Sequence, residues 1–301
     1  MDARDDFILP FQVGEGAVRG RIIRLGSAID QILSAHQLVD PVRELVGEAA
    51  TLTALMGASL KFDGKLIFQA QGDGPVRLLV ADYVSGGALR AMASVQSESS
   101  GRGFGPLLGT GHIALTIDQG PDTDRYQGVT PIEGATLESA AAAYFERSEQ
   151  IPTIVRLAVG KVQMAGKPES WRAGGVIVQF MPSEGGVRAR GEAALKSPED
   201  SDAFDRAAAL LQTAGADELL DPGLSPETLL YRLYHEDGVR VFEPQEVRAE
   251  CGCNAQKISA VLSRYSPEDL AEMAEDGKIT VDCEFCRREY YFDANGLEIV
   301  A

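Results

Sequence analysis

Histidine is scarce in this sequence, with three residues among 301. His36 and His112 sit in apolar patterns that suit packed or surface side chains, and His235, beside Glu236 and Asp237, reads as part of a solvated helix end. So few imidazoles leave acid–base catalysis short of material, and no Ser, His and Asp set can be assembled. The glycines between Gly101 and Gly111 are not followed by the Lys-Ser or Lys-Thr of a phosphate loop. Asp118, Asp122 and Asp124 lack the bidentate Glu that completes a calcium loop. Nothing here points to an enzyme.

Long apolar runs are missing too. None reaches the roughly 18 residues of a membrane span, and Met1-Asp2-Ala3-Arg4-Asp5-Asp6 lacks the basic-then-apolar order of a secretory signal. A cytoplasmic protein with no membrane partner is expected. Positive charge is the third shortage: 28 Lys plus Arg against 45 Asp plus Glu give a net charge of −17. That balance repels phosphate backbones and anionic lipids, so nucleic acid is not an expected partner. The strongest basic cluster, Arg19, Arg21 and Arg24, lies in an apolar helical pattern and reads as a solvated helix face.

What is present is the composition of a folded protein, 45% hydrophobic and 24% charged. From about Phe11 to Leu60 the apolar spacing favours helices, through Ile22, Ile23, Ile29, Ile32 and Leu33 and then Leu45, Val46, Ala49, Leu52 and Leu55. Strand signals follow. Leu66 to Ala70 and Val76 to Asp82 flank the turn Gln71-Gly72-Asp73-Gly74-Pro75, and His112 to Ile117 and Tyr126 to Val129 flank a polar loop. Thr136 to Ser148 is helical, while Ile154 to Met164 and Gly174 to Met181 return to strand. The fold class is therefore α+β, and residues 1–185 form a mostly antiparallel sheet domain with helices.

After Met181-Pro182 the composition shifts to Ser, Glu, Gly and Arg, marking a boundary. Residues 186–246 read as a helical linker. Ser197-Pro198-Glu199-Asp200 and Ser225-Pro226-Glu227-Thr228 each offer a Ser cap, a Pro at the first helical position and acid in the first turn. Phe204, Ala207, Ala208 and Leu211, then Leu229, Leu230, Leu233 and Tyr234, fall on one apolar face. The linker is too small to bury that face within itself. It should dock on the first domain and cover a surface that undocking would expose.

All four cysteines lie in the last segment, residues 247–301. Cys251-Gly252-Cys253 and Cys283-Glu284-Phe285-Cys286 are separated by 29 residues, 254 to 282, and the second pair sits between two short strand patterns. In a reducing compartment such thiols suggest a metal or redox chemistry before structural disulfides. Four thiolates suit tetrahedral zinc, with Cys251, Cys253, Cys283 and Cys286 as ligands. The one-residue spacing of Cys251 and Cys253 is unusual for zinc alone, and neighbouring thiols are also poised to oxidise. A small module depends on its metal, so zinc loss would unfold it. A static zinc site is the plainer alternative. A nucleic-acid-binding ribbon suits the acidity poorly, and a thioredoxin-like Cys283 and Cys286 pair lacks its βαβ setting.

The two cysteine pairs, at this separation and at this end of the chain, resemble those of the bacterial thirty-three-kilodalton heat-shock chaperonin family. The resemblance extends through Leu79-Val80-Ala81-Asp82-Tyr83, Leu115-Thr116-Ile117-Asp118, Tyr126-Gln127-Gly128-Val129, the stretch from Tyr144 to Thr153, and Leu229-Leu230-Tyr231-Arg232-Leu233-Tyr234-His235-Glu236. It implies an ATP-independent holdase, inactive when reduced and loaded with one Zn2+ per chain on Cys251, Cys253, Cys283 and Cys286. Peroxide or hypochlorite, with heat, would form the disulfides Cys251–Cys253 and Cys283–Cys286, release zinc, unfold the last module and the linker, and favour a homodimer that holds unfolding client proteins. Asn254 and Lys257 stand where the family often has Ser and Arg, and Ser94 to Gly109 is unusually rich in Gly and Ser. The alternative of another class is a binding or regulatory protein with a static structural zinc tail.

Overall fold

A computed structural model describes residues 5–14, 18–59, 63–97, 101–120, 123–180, 198–293 and 295 of the chain. The expected boundary near residue 185, the Ser197 cap and Asp122 fall outside the described residues. Two compact units are present, Met1–Ala249 and Glu250–Ala301. Among the described residues no helix is long and apolar enough to cross a membrane.

The chain opens with two strands, β1 (Phe7–Val13) and β2 (Val18–Leu25), paired antiparallel. Helix begins only at α1 (Ser27–Ser34) and α2 (Asp40–Gly57), which corrects the expectation of helix from Phe11 onward. The adjacent Ile22 and Ile23 explain the misreading. On a strand they point to opposite faces, and both are buried, Ile22 in one core and Ile23 in another. A strand covered on both sides loses its alternation and imitates a buried helix. Asp6, upstream in the chain, caps α1 by accepting from the backbone N–H of Gly26 (2.8 Å), Ser27 (3.1 Å) and Ala28 (3.0 Å).

Strands β3 (Lys65–Gly72), β4 (Val76–Val84) and β5 (Ala88–Val95) form the expected meander. A short helix α3 (Phe104–Leu108) precedes β6 (Gly111–Asp118) and β7 (Tyr126–Pro131). Helix α4 (Leu137–Tyr144) has a Thr136 capping box and runs into one wide turn over Phe145–Glu149. The long hairpin of β8 (Thr153–Val162) and β9 (Ser170–Phe180) completes the expected strands.

Then come helices α5 (Pro198–Gln212), α6 (Ala216–Leu220) and α7 (Pro226–Tyr234), with Ser225 capping α7 and Pro226 at its first position. The short strands β10 (Val239–Val241), β11 (Gln245–Glu246) and β12 (Arg248–Ala249) close the unit.

Two six-stranded sheets result. One runs β10-β1-β2-β9-β8, with β11 also on β1; the other runs β12-β5-β4-β3-β6-β7. Among the described residues the strand pairings of these two sheets are antiparallel except that of β12 with β5. Helix α2 packs on both sheets, which is why it is buried nearly all round. The outer face of the first sheet carries Phe11, Val18, Ile22, Val176, Val178 and Phe180, and there the predicted apolar face of α5 and α7 is buried, through Phe204, Ala207, Leu211, Leu229, Leu230, Leu233 and Tyr234. The apolar faces of α5 and α7 pack on the sheet, as their pattern requires. Gly174 makes room for α6: a Cβ there would run into the carbonyl oxygen of Leu219.

Arg24 is 1% exposed and Arg172 2%, which corrects the reading of Arg24 as part of a solvated helix face. Arg24 projects from β2 and donates to the backbone carbonyls of Leu224 (2.8 Å), Glu218 (3.4 Å) and Asp221. Arg172 on β9 donates to the Leu220 carbonyl (3.1 Å) and makes a two-pronged pair with Asp5 at 2.7 and 2.6 Å. Both guanidinium groups therefore meet the end of α6 and the turn that follows it, whose carbonyls have no helical partner.

Candidate metal centre

The second unit holds α8 (Ala255–Leu262), α9 (Pro267–Met273) and the antiparallel pair β13 (Lys278–Asp282) and β14 (Glu289–Asp293). Asn254 caps α8 by accepting from the Lys257 N–H at 2.9 Å, the role a Ser would have there, and the Lys257 ammonium donates to the Gly252 carbonyl at 2.5 Å. Both departures from the family pattern thus have work to do beside the first cysteine pair. Ser266 and Asp269 form a capping box on α9. Among the described residues the buried core of the unit is Leu262, Leu270, Ile279, Tyr290 and Phe292, with partly buried side chains such as Ile258 and Val281 packed against it.

Cys283 to Cys286 make the turn between β13 and β14. The Cys283 N–H donates to the Arg288 carbonyl (2.9 Å) and the Arg287 N–H to the Cys283 carbonyl (2.7 Å), with Arg287 in the left-handed region at φ 56°. Cys251 and Cys253 come from the extended segment before α8.

These two arms bring all four Sγ atoms within 4.8 Å of one another. The recorded sulfur contacts cross between the arms, Cys251 to Cys283 at 3.6 Å and Cys253 to Cys286 at 3.4 Å. Four sulfurs at about 2.3 Å from a tetrahedral zinc are about 3.8 Å apart, so the arrangement fits that ion with little adjustment. None of the four cysteines is in a disulfide, and all four are half-buried. Burial works to raise Cys253, yet hydrogen bonds from Tyr290 and then from the other three cysteines bring it down to about 7. Burial pushes Cys286 up to about 12, opposed by the Arg288 backbone and helped by hydrogen bonding with Cys253 and Cys283 and by the charge of Cys251. A divalent cation is what would let four sulfurs ionise together.

The sequence reading missed Tyr290, whose hydroxyl lies 3.2 Å from Cys253 Sγ. A signal was available: in Glu289-Tyr290-Tyr291-Phe292-Asp293 the alternation puts Tyr290 and Phe292 on the inward face of the strand leaving the cysteine turn. Arg172 left no such signal. The three histidines belong to the first unit: His36 is buried there, His112 is exposed on β6, and His235 ends α7 with its ring against Tyr231.

Comparison with known proteins gives one family. The family model described as Hsp33 protein matches residues 6–293. A 33 kDa chaperonin of Caulobacter vibrioides is 48% identical, covering 97% of this chain and 96% of its own length. A 33 kDa chaperonin of Serratia proteamaculans is 36% identical over 92% of this chain and 89% of its own. The crystal structure of the 33 kDa chaperonin of Thermotoga maritima superposes with a TM-score of 0.78 at 21% identity, covering 97% and 96% of the two chains.

Proposed function

The chain belongs to the Hsp33 family, a class of chaperones and not of enzymes, and from that premise we propose that it is an ATP-independent holdase switched by oxidation of its four cysteines. The observation that carries the reading is the convergence of four thiols in a small unit whose fully buried core, among the described residues, is five side chains. One zinc per chain, when bound, supplies the divalent charge that keeps Cys251, Cys253, Cys283 and Cys286 as thiolates and ties the two arms together, a contribution of about 10–16 kcal/mol in small zinc modules.

The rest of the switch lies in the chain. Each disulfide takes two electrons from two cysteines; a peroxide consumed in the process becomes two waters. With the pairs Cys251–Cys253 and Cys283–Cys286, assigned by family resemblance, no thiolate ligand remains. The arm before α8 and the β13–β14 turn are then no longer joined, and a core of this size does not hold the unit folded. Release of α5–α7 follows in the proposed switch. It uncovers the face of the first sheet built from Phe11, Ile22, Val176, Val178 and Phe180, which takes up apolar segments of unfolding clients. In this reading residues 1–185 are the chaperone domain, 186–246 the linker and 247–301 the switch. The oxidised form is a homodimer, and the setting is the cytoplasm, with neither nucleic acid nor membrane as partner.

The test is zinc release and client protection measured together. Peroxide at elevated temperature is expected to free one zinc per chain and to suppress aggregation of a heat-unfolding enzyme without ATP. Equal suppression by the reduced, zinc-loaded protein would remove the redox switch. Cys251→Ser separates this reading from a static zinc tail: the switch gives client binding without oxidant, whereas a static site gives only an unstable terminal unit.

A further inference from the structure

We propose that Tyr290 is a positioning residue that restrains Cys253, its hydroxyl hydrogen bond slowing the attack of this sulfur on peroxide. The inference rests on the zinc and redox reading above and names a residue within it. Tyr290 is 9% exposed, fixed by the core of Leu262, Leu270, Ile279 and Phe292, with its oxygen 3.2 Å from Cys253 Sγ. A ligating sulfur carries no proton, so the hydroxyl is the donor.

The reaction restrained is the first oxidation step. A lone pair on the Cys253 sulfur attacks one peroxide oxygen, the O–O bond breaks, and hydroxide leaves as the sulfenic acid forms. A second thiol then displaces the sulfenic oxygen as water and closes the disulfide. A hydrogen bond into the sulfur lone pair withdraws electron density from the attacking atom and must be given up as the S–O bond forms. Donors to a charged acceptor contribute enough that losing one changes a rate by about tenfold. Tyr290 thereby raises the oxidant level at which Cys253 reacts.

Tyr290→Phe keeps the ring in the core and removes the hydroxyl. In the full-length, zinc-loaded variant, peroxide-driven zinc release is expected about three- to tenfold faster than in the wild type. Oxidant-free zinc loss to a chelator should stay within twofold, and the melting temperature should not move. The cobalt-substituted variant should show its sulfur-to-metal charge-transfer band shifted to lower energy, a change that packing alone does not cause. Equal peroxide rates with an unmoved cobalt band overturn the proposal and leave the zinc switch standing. So does a rate increase matched by oxidant-free loss and a lower melting temperature, since that is simple destabilisation. A wild-type protein that binds zinc and does not release it to peroxide overturns both.

Discussion

Truncating Leu230 to alanine tests whether the docked linker is what keeps the apolar sheet face hidden. Leu230 is 0% exposed on α7 and sits in the cluster that joins the linker to the first sheet, apart from the larger core around α2. A fully buried Leu→Ala change costs about 2–5 kcal/mol through lost transfer energy and the cavity left behind. At about 3 kcal/mol the ratio of released to docked linker rises roughly 100-fold, since each 1.4 kcal/mol is a factor of ten. Hydrogen exchange in the reduced, zinc-loaded protein should then quicken by about that factor at the amides of α7, with β3, β4 and β6 unchanged. The same sample should suppress aggregation of a heat-unfolding enzyme without oxidant. Gly174→Ala applies the pressure from the other side: the strand tolerates a Cβ, and α6 does not, because the Leu219 carbonyl occupies its place. The glycine variant leaves every apolar side chain intact, so it removes the objection that Leu230 is itself a client contact. Faster exchange in α7 with client aggregation unchanged, in both variants, would refute the assignment of the sheet face as the client surface.

Three further outcomes follow from local geometry. Asp82 is a buried carboxylate paired with Lys65 at 2.7 Å and Arg90 at 2.6 Å, so Asp82→Asn should cost about 2–4 kcal/mol and lower the melting temperature of the first unit, with zinc content unchanged by metal analysis. Burial, then the nearby Glu138 and Glu44 carboxylates, raise Glu48 to about 7 from its ordinary 4.5, so the folded protein binds the extra proton. Its contribution is therefore full below about pH 4.5 and is lost as pH rises through about 7; Glu48→Gln should flatten that decline, seen as a smaller fall in melting temperature between pH 5 and pH 8. Removing metal with a strong chelator under reducing conditions should collapse the amide dispersion of β13 and β14 in an NMR spectrum, while the sheets of the first unit keep theirs.

Much of the fold was legible because its signals are local. Gln71 to Pro75 fixed a hairpin, and Ser225-Pro226 and Ser266-Pro267 fixed helix starts, since turn and cap chemistry acts within four residues. The thiol cluster was legible for the same reason: two short spacings place two arms, and four sulfurs need one destination. The misread strand and the misread arginine are nonlocal failures. Ile22 and Ile23 looked helical because two different cores claim the two faces of β2, which no window along the chain reveals. Arg24 looked solvated because its partners are backbone carbonyls about 200 residues away, and a carbonyl has no sequence signature.

Those arginines explain how a docked segment can be both specific and releasable. Their acceptors on the linker are main-chain oxygens of residues 218, 220, 221 and 224, so the bonds fix where the chain passes and are indifferent to which side chains it carries. On release, water takes over both the guanidinium groups and the carbonyls. Each exchange is then worth only about 0.5–1.5 kcal/mol net, rising to about 3 for a charged donor. Burial of a leucine or phenylalanine is worth about 1.5–3 kcal/mol, and among the described residues seven such positions of the segment are buried in the cluster on the sheet. Apolar burial therefore holds the linker down, and the arginines set its register. The sheet face that would bind a client is the same face that binds the linker, and each competes for it with the same kind of energy. In the proposed switch a client with several exposed apolar segments would occupy that face once the linker had left it, and would lose its hold when its own folding withdrew those segments.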